Sequence, residues 1–276
     1  MSLDDVLSTV DSWPVANAAA AVVSPAGVLG TFGPTDQTFP LASVTKPLVA
    51  LASLVAVEEG ALELTDPPDD RLIPGATIRH LMAHASGLAP DRPLRSFAPA
   101  TRRVYSNVGI DLLASLVEQA VEMPFAAYLD EALVKPLGLR ATSLPGRPAS
   151  GGVSTVDDLA RVMHELLEPS GLLHPTTLAD ATSVQYPGLR GVLPGYGPRD
   201  PNDWGLGFEI RSAKHPHWTG SRNSPRTYGH FGGSGTMFWI DPDARLGLVA
   251  LTDQAFDEWA AQAWPALSDS VLNDAR

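Results

Sequence analysis

Apolar residues recur with different periods along the chain and predict three kinds of region. Near the amino terminus, two runs of small apolar residues flank Ser24-Pro25-Ala26-Gly27, whose residue types favour a tight turn, so residues 16–33 are predicted to form a β-hairpin. In the middle of the chain, apolar residues recur at every third or fourth position, as on the buried face of a helix. Beyond residue 200, short apolar runs indicate strands.

The predicted helices occupy most of the central part of the chain. They cover residues 48–60, 76–84, 109–121, 125–138, 154–168 and 256–272. Gly60 ends the first helix, Thr77 is a candidate N-cap of the second, and Ser154 or Thr155 is a candidate N-cap of the fifth. The predicted strand-forming segments cover 204–211, 227–242 and 245–253, whereas 64–75 and 188–203, which are rich in proline or glycine, are predicted to be loops.

Strands at both ends of the chain, with helices between them, predict an α+β protein. We expect the terminal strands to share one antiparallel sheet flanked by helices, and the helical middle to form an inserted lobe. The predicted domain is therefore single, spanning 1–276, with a sheet lobe of 1–60 plus 151–276 and a mainly helical lobe of 61–150.

Composition excludes several classes of function. The 276 residues are 44% hydrophobic, enough to bury a sizeable core, and the net charge of −12 with no basic run makes nucleic acid an unsuitable partner. There is no cysteine, which excludes disulfides, thiolate zinc sites and cysteine nucleophiles. No apolar stretch is long enough to span a membrane, and the acidic amino terminus is unlike a signal peptide. We expect a cytoplasmic protein, although a removed leader would leave no trace; its oligomeric state is left open.

One serine and one lysine stand at the predicted start of an apolar helix. Ser43 precedes Lys46 by three residues, which brings the two side chains within reach of each other on a helix. Serine is a poor nucleophile and needs a neighbouring base, and a lysine supplies one when burial lowers its pKa. The alternative is a capping serine followed by a solvated lysine. The pair therefore indicates a catalytic site only if partner residues from elsewhere in the chain accompany it.

Two further motifs are candidates for such partners, and each has a structural alternative: a helix entry capped by Ser106 or Asn107 for the first, and a β-bulge at the glycines for the second. Tyr105 and Asn107 stand just before a predicted helix, where a tyrosine can transfer protons and an asparagine can hold a substrate amide. His230 lies on a glycine-rich strand, and is followed by Phe231, Gly232 and Gly233, where the missing side chains permit close approach of a ligand.

The three motifs, in this order, resemble those of the penicillin-recognising serine hydrolases, which include class C β-lactamases, D-alanyl-D-alanine peptidases and esterases. The family pattern is Ser-x-x-Lys, then Tyr-x-Asn, then Lys/His-Thr-Gly. Here the motifs are Ser43-Val44-Thr45-Lys46, Tyr105-Ser106-Asn107 and His230-Phe231-Gly232. The intervening segments "TIRHLMAHASGL", "LVKPLGLRATSL", "GGVSTVDDLARV" and "GTMFWIDPDARLGLVALTD" are also similar to this family, so the resemblance covers nearly the whole chain.

The resemblance implies a β-lactamase/transpeptidase-like fold and a bacterial serine hydrolase that forms an acyl-enzyme. It assigns Ser43 as the nucleophile, Lys46 as its base or proton relay and Tyr105 as a second proton-transfer group. Asn107 would anchor substrate and lysine, and His230 stands where many relatives carry a lysine. The remaining implied positions are Phe231, Gly232 and Gly233 at the substrate, with the backbone N–H groups of Ser43 and Gly233 as the oxyanion hole.

Phe231 departs from the family pattern, His230 stands where many relatives carry a lysine, and both residues bear on the substrate. Phe231 replaces a threonine or serine whose hydroxyl helps to hold a substrate carboxylate, and His230 replaces a permanent positive charge. Both changes favour a small, less anionic ester or amide, and hence an esterase-like preference. The alternatives are a β-lactamase or D,D-carboxypeptidase, and a penicillin-binding or sensor-like protein that is acylated without useful turnover.

No cofactor or metal is expected. His80 and His84 have a spacing that can hold a metal on a helix, but the sequence shows no third ligand near them. His215 and His217 flank a proline and are predicted to be solvated in a loop.

Overall fold

The computed structural model describes residues 3–69 and 71–274 and is built around antiparallel β-structure. The strands are β1 (Ala18–Ser24), β2 (Gly27–Phe32), β3 (Phe39–Pro40), β4 (Val153–Ser154), β5 (Gly191–Leu193), β6 (Gly197–Arg199), β7 (Glu209–Ile210), β8 (Tyr228–Gly232), β9 (Thr236–Asp241) and β10 (Leu246–Thr252). Six of them form one sheet in the order β2-β1-β10-β9-β8-β7, and β3-β4 and β5-β6 are separate pairs. The amino-terminal β1 pairs with the carboxy-terminal β10, with Ala21 opposite Val249. The predicted sheet built from both chain ends is therefore confirmed.

Helices pack on the sheet and make up most of the chain between its amino-terminal and carboxy-terminal strands. They are α1 (Leu3–Leu7), α2 (Thr45–Glu58), α3 (Ile78–Met82), α4 (Asn107–Val121), α5 (Phe125–Leu129), α6 (Val156–Leu167), α7 (Pro175–Ala181) and α8 (Glu258–Asp274). Two 3₁₀ turns, Ser8–Ser12 and Ala42–Val44, and a π-helical turn, Asp130–Val134, complete the regular structure. No helix within the described ranges is both long and apolar enough to cross a bilayer.

The sheet separates two hydrophobic cores because successive side chains of a strand point to opposite faces. Along β1, Ala19, Ala21 and Val23 face a core shared with α2, α4 and α6. Ala20 and Val22 face the opposite core, which is closed by α1 and α8. Every residue of β1 is buried, which explains why its sequence is an uninterrupted apolar run.

Most predicted helices and strands are present, but several of their boundaries differ from the prediction. The hairpin over 16–33 forms β1 and β2, and Thr77 and Thr155 are the N-caps of α3 and α6. The predicted loop over 188–203 is wrong in part, because it contains the hairpin of β5 and β6. The strand predicted over 204–211 shortens to β7, since Gly207 adopts a φ of +83° and packs against Ala50.

Three other helical features differ from the sequence prediction. The helix expected over 125–138 divides into α5 and the π-helical turn, and neither α1 nor α7 was predicted. The helices α3, α4 and α5 lie within the 61–150 range of the expected helical lobe, and the boundaries of the two lobes stay a prediction.

Candidate active site

Ser43 lies in the short 3₁₀ turn Ala42–Val44 that leads into α2, and not in the first turn of the α-helix itself. The preceding residue, Ala42, has a φ of +45°, a left-handed conformation that is unusual for alanine. The turn is held on both sides: Leu41 N–H donates to Gly152 O at 2.9 Å, and Thr236 Oγ1 donates to Leu41 O at 2.8 Å. Backbone strain held in place by such contacts is typical of functional sites.

Gly232 explains how β8 comes so close to this turn. A Cβ atom at Gly232 would lie 2.3 Å from Leu41 O and 3.2 Å from Ala42 Cβ. The absence of a side chain therefore allows the strand that carries His230 to pack directly against the segment that carries Ser43.

The structure brings Ser43, Lys46 and Tyr105 into direct contact. Lys46 Nζ lies 3.0 Å from Ser43 Oγ, and the Tyr105 hydroxyl donates to Ser43 Oγ at 2.7 Å. Lys46 Nζ also lies 4.6 Å from the centre of the Tyr105 ring. The three side chains form a continuous path along which protons can move.

Lys46 is fully buried, and its amine donates to Ala149 O at 2.8 Å. Burial lowers the pKa of Lys46 from its usual 10.5 to about 7, against the opposing effect of the Asp111 carboxylate. A large fraction of the amine is therefore neutral near pH 7 and can accept the Ser43 proton. Ala149 O was not predicted as part of the site, because a main-chain carbonyl carries no sequence signal.

Tyr105 remains a neutral phenol. Burial raises the pKa of its hydroxyl well above the usual value, and the hydrogen bond with Ser43 only partly offsets this. Of the two groups that contact Ser43 Oγ, Lys46 is thus the one suited to accept a proton, and Tyr105 the one suited to donate.

Asn107 is the first residue of α4, and Ser106 is its N-cap. The Asn107 side-chain nitrogen donates to Asp91 Oδ1 at 2.8 Å, and its buried Oδ1 has no hydrogen-bond partner among the described residues. The structure therefore shows no hydrogen bond between the Lys46 amine and Asn107, and Lys46 Nζ donates to Ala149 O instead.

His230 lies on β8 with its ring close to those of Tyr105 and Trp204. Its Nδ1 lies 2.6 Å from Phe231 O, and its Nε2 has no partner within the described part of the chain. Burial, together with the nearby Lys46 charge, lowers the pKa of His230 to about 3. His230 is neutral at physiological pH and supplies no cation.

A cavity of about 220 Å³ opens beside Ser43. It is lined by Ser43, Tyr105, Leu193, Pro194, Gly195, Trp204, Glu209, His230, Phe231, Gly233 and Phe256. Phe231 packs in an aromatic cluster on this wall, with ring centroids 5.0 Å from Phe256 and 5.9 Å from Trp264. The lining residues include no arginine or lysine, and their one carboxylate, Glu209, is paired with Lys214, so the cavity offers no charged partner to an anionic group.

A buried ionisable cluster, missed by the sequence analysis, adjoins the cavity. Glu209 contacts Lys214 Nζ, His217 Nε2 at 2.9 Å and Trp218 Nε1 at 3.0 Å. Burial alone would raise the pKa of Glu209, but these partners hold it below its usual range. The expectation that His217 is solvated is wrong, because its side chain is buried against this carboxylate.

His80 and His84 do not share a helix, because α3 ends at Met82. His80 Nδ1 accepts the N–H of Thr77 as part of the helix cap, and His84 Nδ1 accepts the N–H of Ser106. Within the described ranges, no group of three potential metal ligands is placed to bind an ion.

Comparison with known proteins adds an independent observation. A family model described as beta-lactamase matches residues 14–272. The chain belongs to the beta-lactamase family. It is similar over 98% of its length to 99% of a beta-lactamase from Mycobacterium bovis of known crystal structure, with 53% identity and a TM-score of 0.94.

Relatives in this family carry several different names. Esterase EstB of Burkholderia gladioli is 27% identical over 86% of this chain and 82% of its own length. Penicillin-binding protein 4* of Bacillus subtilis is 32% identical over 42% of this chain and 32% of its own length. These comparisons confirm the α+β, β-lactamase-like fold and identify the chain as a serine hydrolase of the beta-lactamase family that acts on small molecules.

Proposed function

We propose that this hydrolase cleaves uncharged esters through an acyl-enzyme on Ser43. The observation that carries the proposal is the contact of Ser43 Oγ with both Lys46 Nζ and the Tyr105 hydroxyl, at 3.0 and 2.7 Å. One group is suited to accept a proton and the other to donate one, as nucleophilic catalysis by serine requires.

In the proposed acylation, neutral Lys46 takes the proton of Ser43 Oγ as this oxygen attacks the ester carbonyl. The backbone N–H groups of Ser43 and Gly233, two residues that line the cavity, stabilise the negative charge that develops on the carbonyl oxygen. Tyr105 donates its proton to the departing alkoxide and regains one from Lys46, which restores the neutral amine. The alcohol leaves at this stage. Water then attacks the acyl-enzyme by the reverse sequence: it gives up a proton, the bond between the acyl group and Ser43 Oγ breaks, Ser43 Oγ is reprotonated and the acid is released.

The uncharged substrate follows from the lining of the cavity. Phe231 and Phe256 present apolar rings, and His230 is neutral. A carboxylate placed against these residues would lose hydration without gaining a charged partner, which is costly. Phe231 and Gly233, on either side of Gly232, would instead line the path of an apolar group, and Asn107 Oδ1, which has no hydrogen-bond partner among the described residues, would accept a hydrogen bond from the substrate or a water. The cytoplasmic location expected from the sequence stays a prediction.

Hydrolysis of β-lactams is the second candidate, because the relative that is 53% identical is named a beta-lactamase. A paired assay with p-nitrophenyl acetate and a chromogenic cephalosporin separates the two. We expect a higher kcat/KM for the ester. Faster cleavage of the cephalosporin would establish the second candidate, and stable acylation by either compound without turnover would indicate a penicillin-binding function.

A further inference from the structure

His84 holds an uncommon backbone conformation directly beside the site. It follows α3 with a φ of +52°, and its N–H donates to Leu81 O at 3.1 Å. The buried guanidinium of Arg103 binds the carbonyl of the preceding residue, Ala83, at 2.5 Å. Asparagine, aspartate and histidine are enriched among non-glycine residues with positive φ. Packing and hydrogen bonds therefore fix both the position and the direction of the His84 side chain.

Two hydrogen bonds connect His84 to the backbone on either side of Tyr105. The carbonyl oxygen of His84 accepts the N–H of Val104 at 2.9 Å, and Nδ1 of its ring accepts the N–H of Ser106 at 3.2 Å. In an extended segment, the N–H groups of alternate residues point to the same side. His84 therefore accepts both N–H groups much as a neighbouring strand would, and fixes the plane of the segment that carries Tyr105.

The His84 ring also packs on the Tyr105 side chain. The two ring centroids lie 4.7 Å apart, and the Trp204 ring lies 4.7 Å from the His84 ring, nearly perpendicular to it, and 5.6 Å from the Tyr105 ring. Because Nδ1 accepts a hydrogen bond, the ring proton of the neutral imidazole is on Nε2. Ring and backbone contacts together restrain the direction in which the Tyr105 hydroxyl points.

We propose that His84 is a positioning residue that presents Tyr105 to Ser43. The inference rests on the proposed role of Tyr105 as proton donor. His84 is not expected to contact the substrate; it acts by maintaining the 2.7 Å contact between the Tyr105 hydroxyl and Ser43 Oγ. Displacements of about 1 Å in a catalytic group can reduce the rate by a factor of about 100.

A matched pair of substitutions isolates the acceptor on His84. His84→Gly and His84→Asn both tolerate the left-handed backbone and both remove the ring, but only asparagine keeps a side-chain oxygen near the position of Nδ1. We expect His84→Gly to lower kcat for p-nitrophenyl acetate by roughly 10- to 100-fold with little change in KM. His84→Asn should recover most of this loss.

The same substitutions in a Tyr105→Phe background separate positioning from general stability. If His84 acts through the Tyr105 hydroxyl, replacing His84 in the Tyr105→Phe background should lower kcat by less than about threefold, because the effects of groups that act as one unit are not additive. Titration of the active-site serine with a fluorophosphonate measures the folded fraction of each variant, and rates are expressed per titrated site. If His84→Gly folds poorly, His84→Asn is compared in the two backgrounds by the same criterion.

Each result bears on a distinct claim. Equal losses in the two backgrounds, or full activity of His84→Gly, would overturn the role of His84 while leaving the proposed function intact. Undiminished turnover in Ser43→Ala would instead overturn the proposed function itself. Full turnover in Tyr105→Phe would remove the basis of the inference and overturn it.

Discussion

In the proposed mechanism, the protonation state of the buried Lys46 amine decides whether Ser43 has a base. Because burial lowers its pKa to about 7, the neutral form increases as the pH rises through that value. We expect kcat/KM for p-nitrophenyl acetate to rise about tenfold per pH unit below the pKa and to level off above it. The measurement is a pH–rate profile between about pH 5 and pH 9, with the folded state checked at each pH. A profile that falls with pH across this range would exclude a neutral lysine as the base.

The proposed preference for uncharged substrates depends mainly on Phe231. We expect Phe231→Thr to raise the ratio of cephalosporin to ester kcat/KM by roughly tenfold to a hundredfold, because its hydroxyl can donate to a carboxylate and a hydrogen bond to a charged group contributes about 1.5–3 kcal/mol. Phe231→Val is the matched control, since valine has nearly the same shape as threonine but lacks the hydroxyl. Both replace a ring that packs on Phe256 and Trp264. An equal ratio in the two variants would show that Phe231 serves packing alone.

At the scale of single residues, the sequence predicted which side chains form the site better than it predicted their hydrogen-bond partners. Ser43, Lys46 and Tyr105 form recognisable motifs, and the structure brings them together. Ala149 O and the Nδ1 of His84 could not be predicted as partners, because these contacts depend on how distant segments pack. The burial of His217 was missed for the same reason: its carboxylate partner, Glu209, lies on a strand that forms only in the folded sheet.

At the scale of elements, the site depends on the close packing of β8 against the turn that carries Ser43. Gly232→Ala should separate the two, because the added Cβ would lie 2.3 Å from Leu41 O and 2.5 Å from Thr236 Oγ1. We expect a loss of roughly 1–3 kcal/mol in the free energy of unfolding and a lower rate of acylation of Ser43. Denaturant unfolding and labelling kinetics measure the two effects.

Gly233→Ala is the matched control for stability. A Cβ at Gly233 would have no heavy atom within 4 Å, so we expect its free energy of unfolding to change by less than about 0.5 kcal/mol. Equal stability losses in the two variants would mean that close packing at Gly232 does not hold the site together.

Long regular elements were predicted well, and short elements were not. The helix α4 buries one face with a helical period, and the strands β1 and β10 are long, fully buried runs of mostly apolar residues. The hairpin of β5 and β6 has only three residues in each strand, with proline inside β6, so its composition resembled that of a loop. The two residues of β7 are likewise too few for a period to be visible.

At the scale of the whole molecule, the low pKa of Lys46 has a cost in stability. The native chain releases this proton near pH 7, whereas the unfolded chain keeps it until about 10.5. Between these values the unfolded state binds more protons, so the Lys46 contribution to the free energy of unfolding rises with pH by about 1.4 kcal/mol per unit. Lys46→Met lacks this contribution.

The stability of Lys46→Met relative to the native chain should therefore be greatest below pH 7 and should decrease as the pH rises above it. Urea unfolding of both proteins at several pH values measures the difference, in which the contributions of other groups cancel. A difference that does not depend on pH would show that Lys46 titrates normally in the folded protein, and would remove the physical basis for its role as a base.

The fold was predictable because strongly apolar strands lie near both ends of the chain and its middle is mainly helical. The pairing of β1 with β10 follows from that arrangement and was predicted. The shape and apolar lining of the cavity were not predictable, since Leu193 at the end of β5 and the loop residues Trp204 and Phe256 come from separate segments that meet only after folding. From the sequence alone, the prediction of uncharged substrates therefore depended on Phe231 and His230.

The most direct test of the account is the intact mass of the protein after brief reaction with p-nitrophenyl acetate, followed by peptide mapping. We expect one added acyl group on the peptide that contains Ser43, no such adduct in Ser43→Ala, and turnover in that variant reduced by several orders of magnitude. An adduct on another residue that forms at the rate of turnover, or undiminished turnover in Ser43→Ala, would contradict the assignment of Ser43 as the nucleophile.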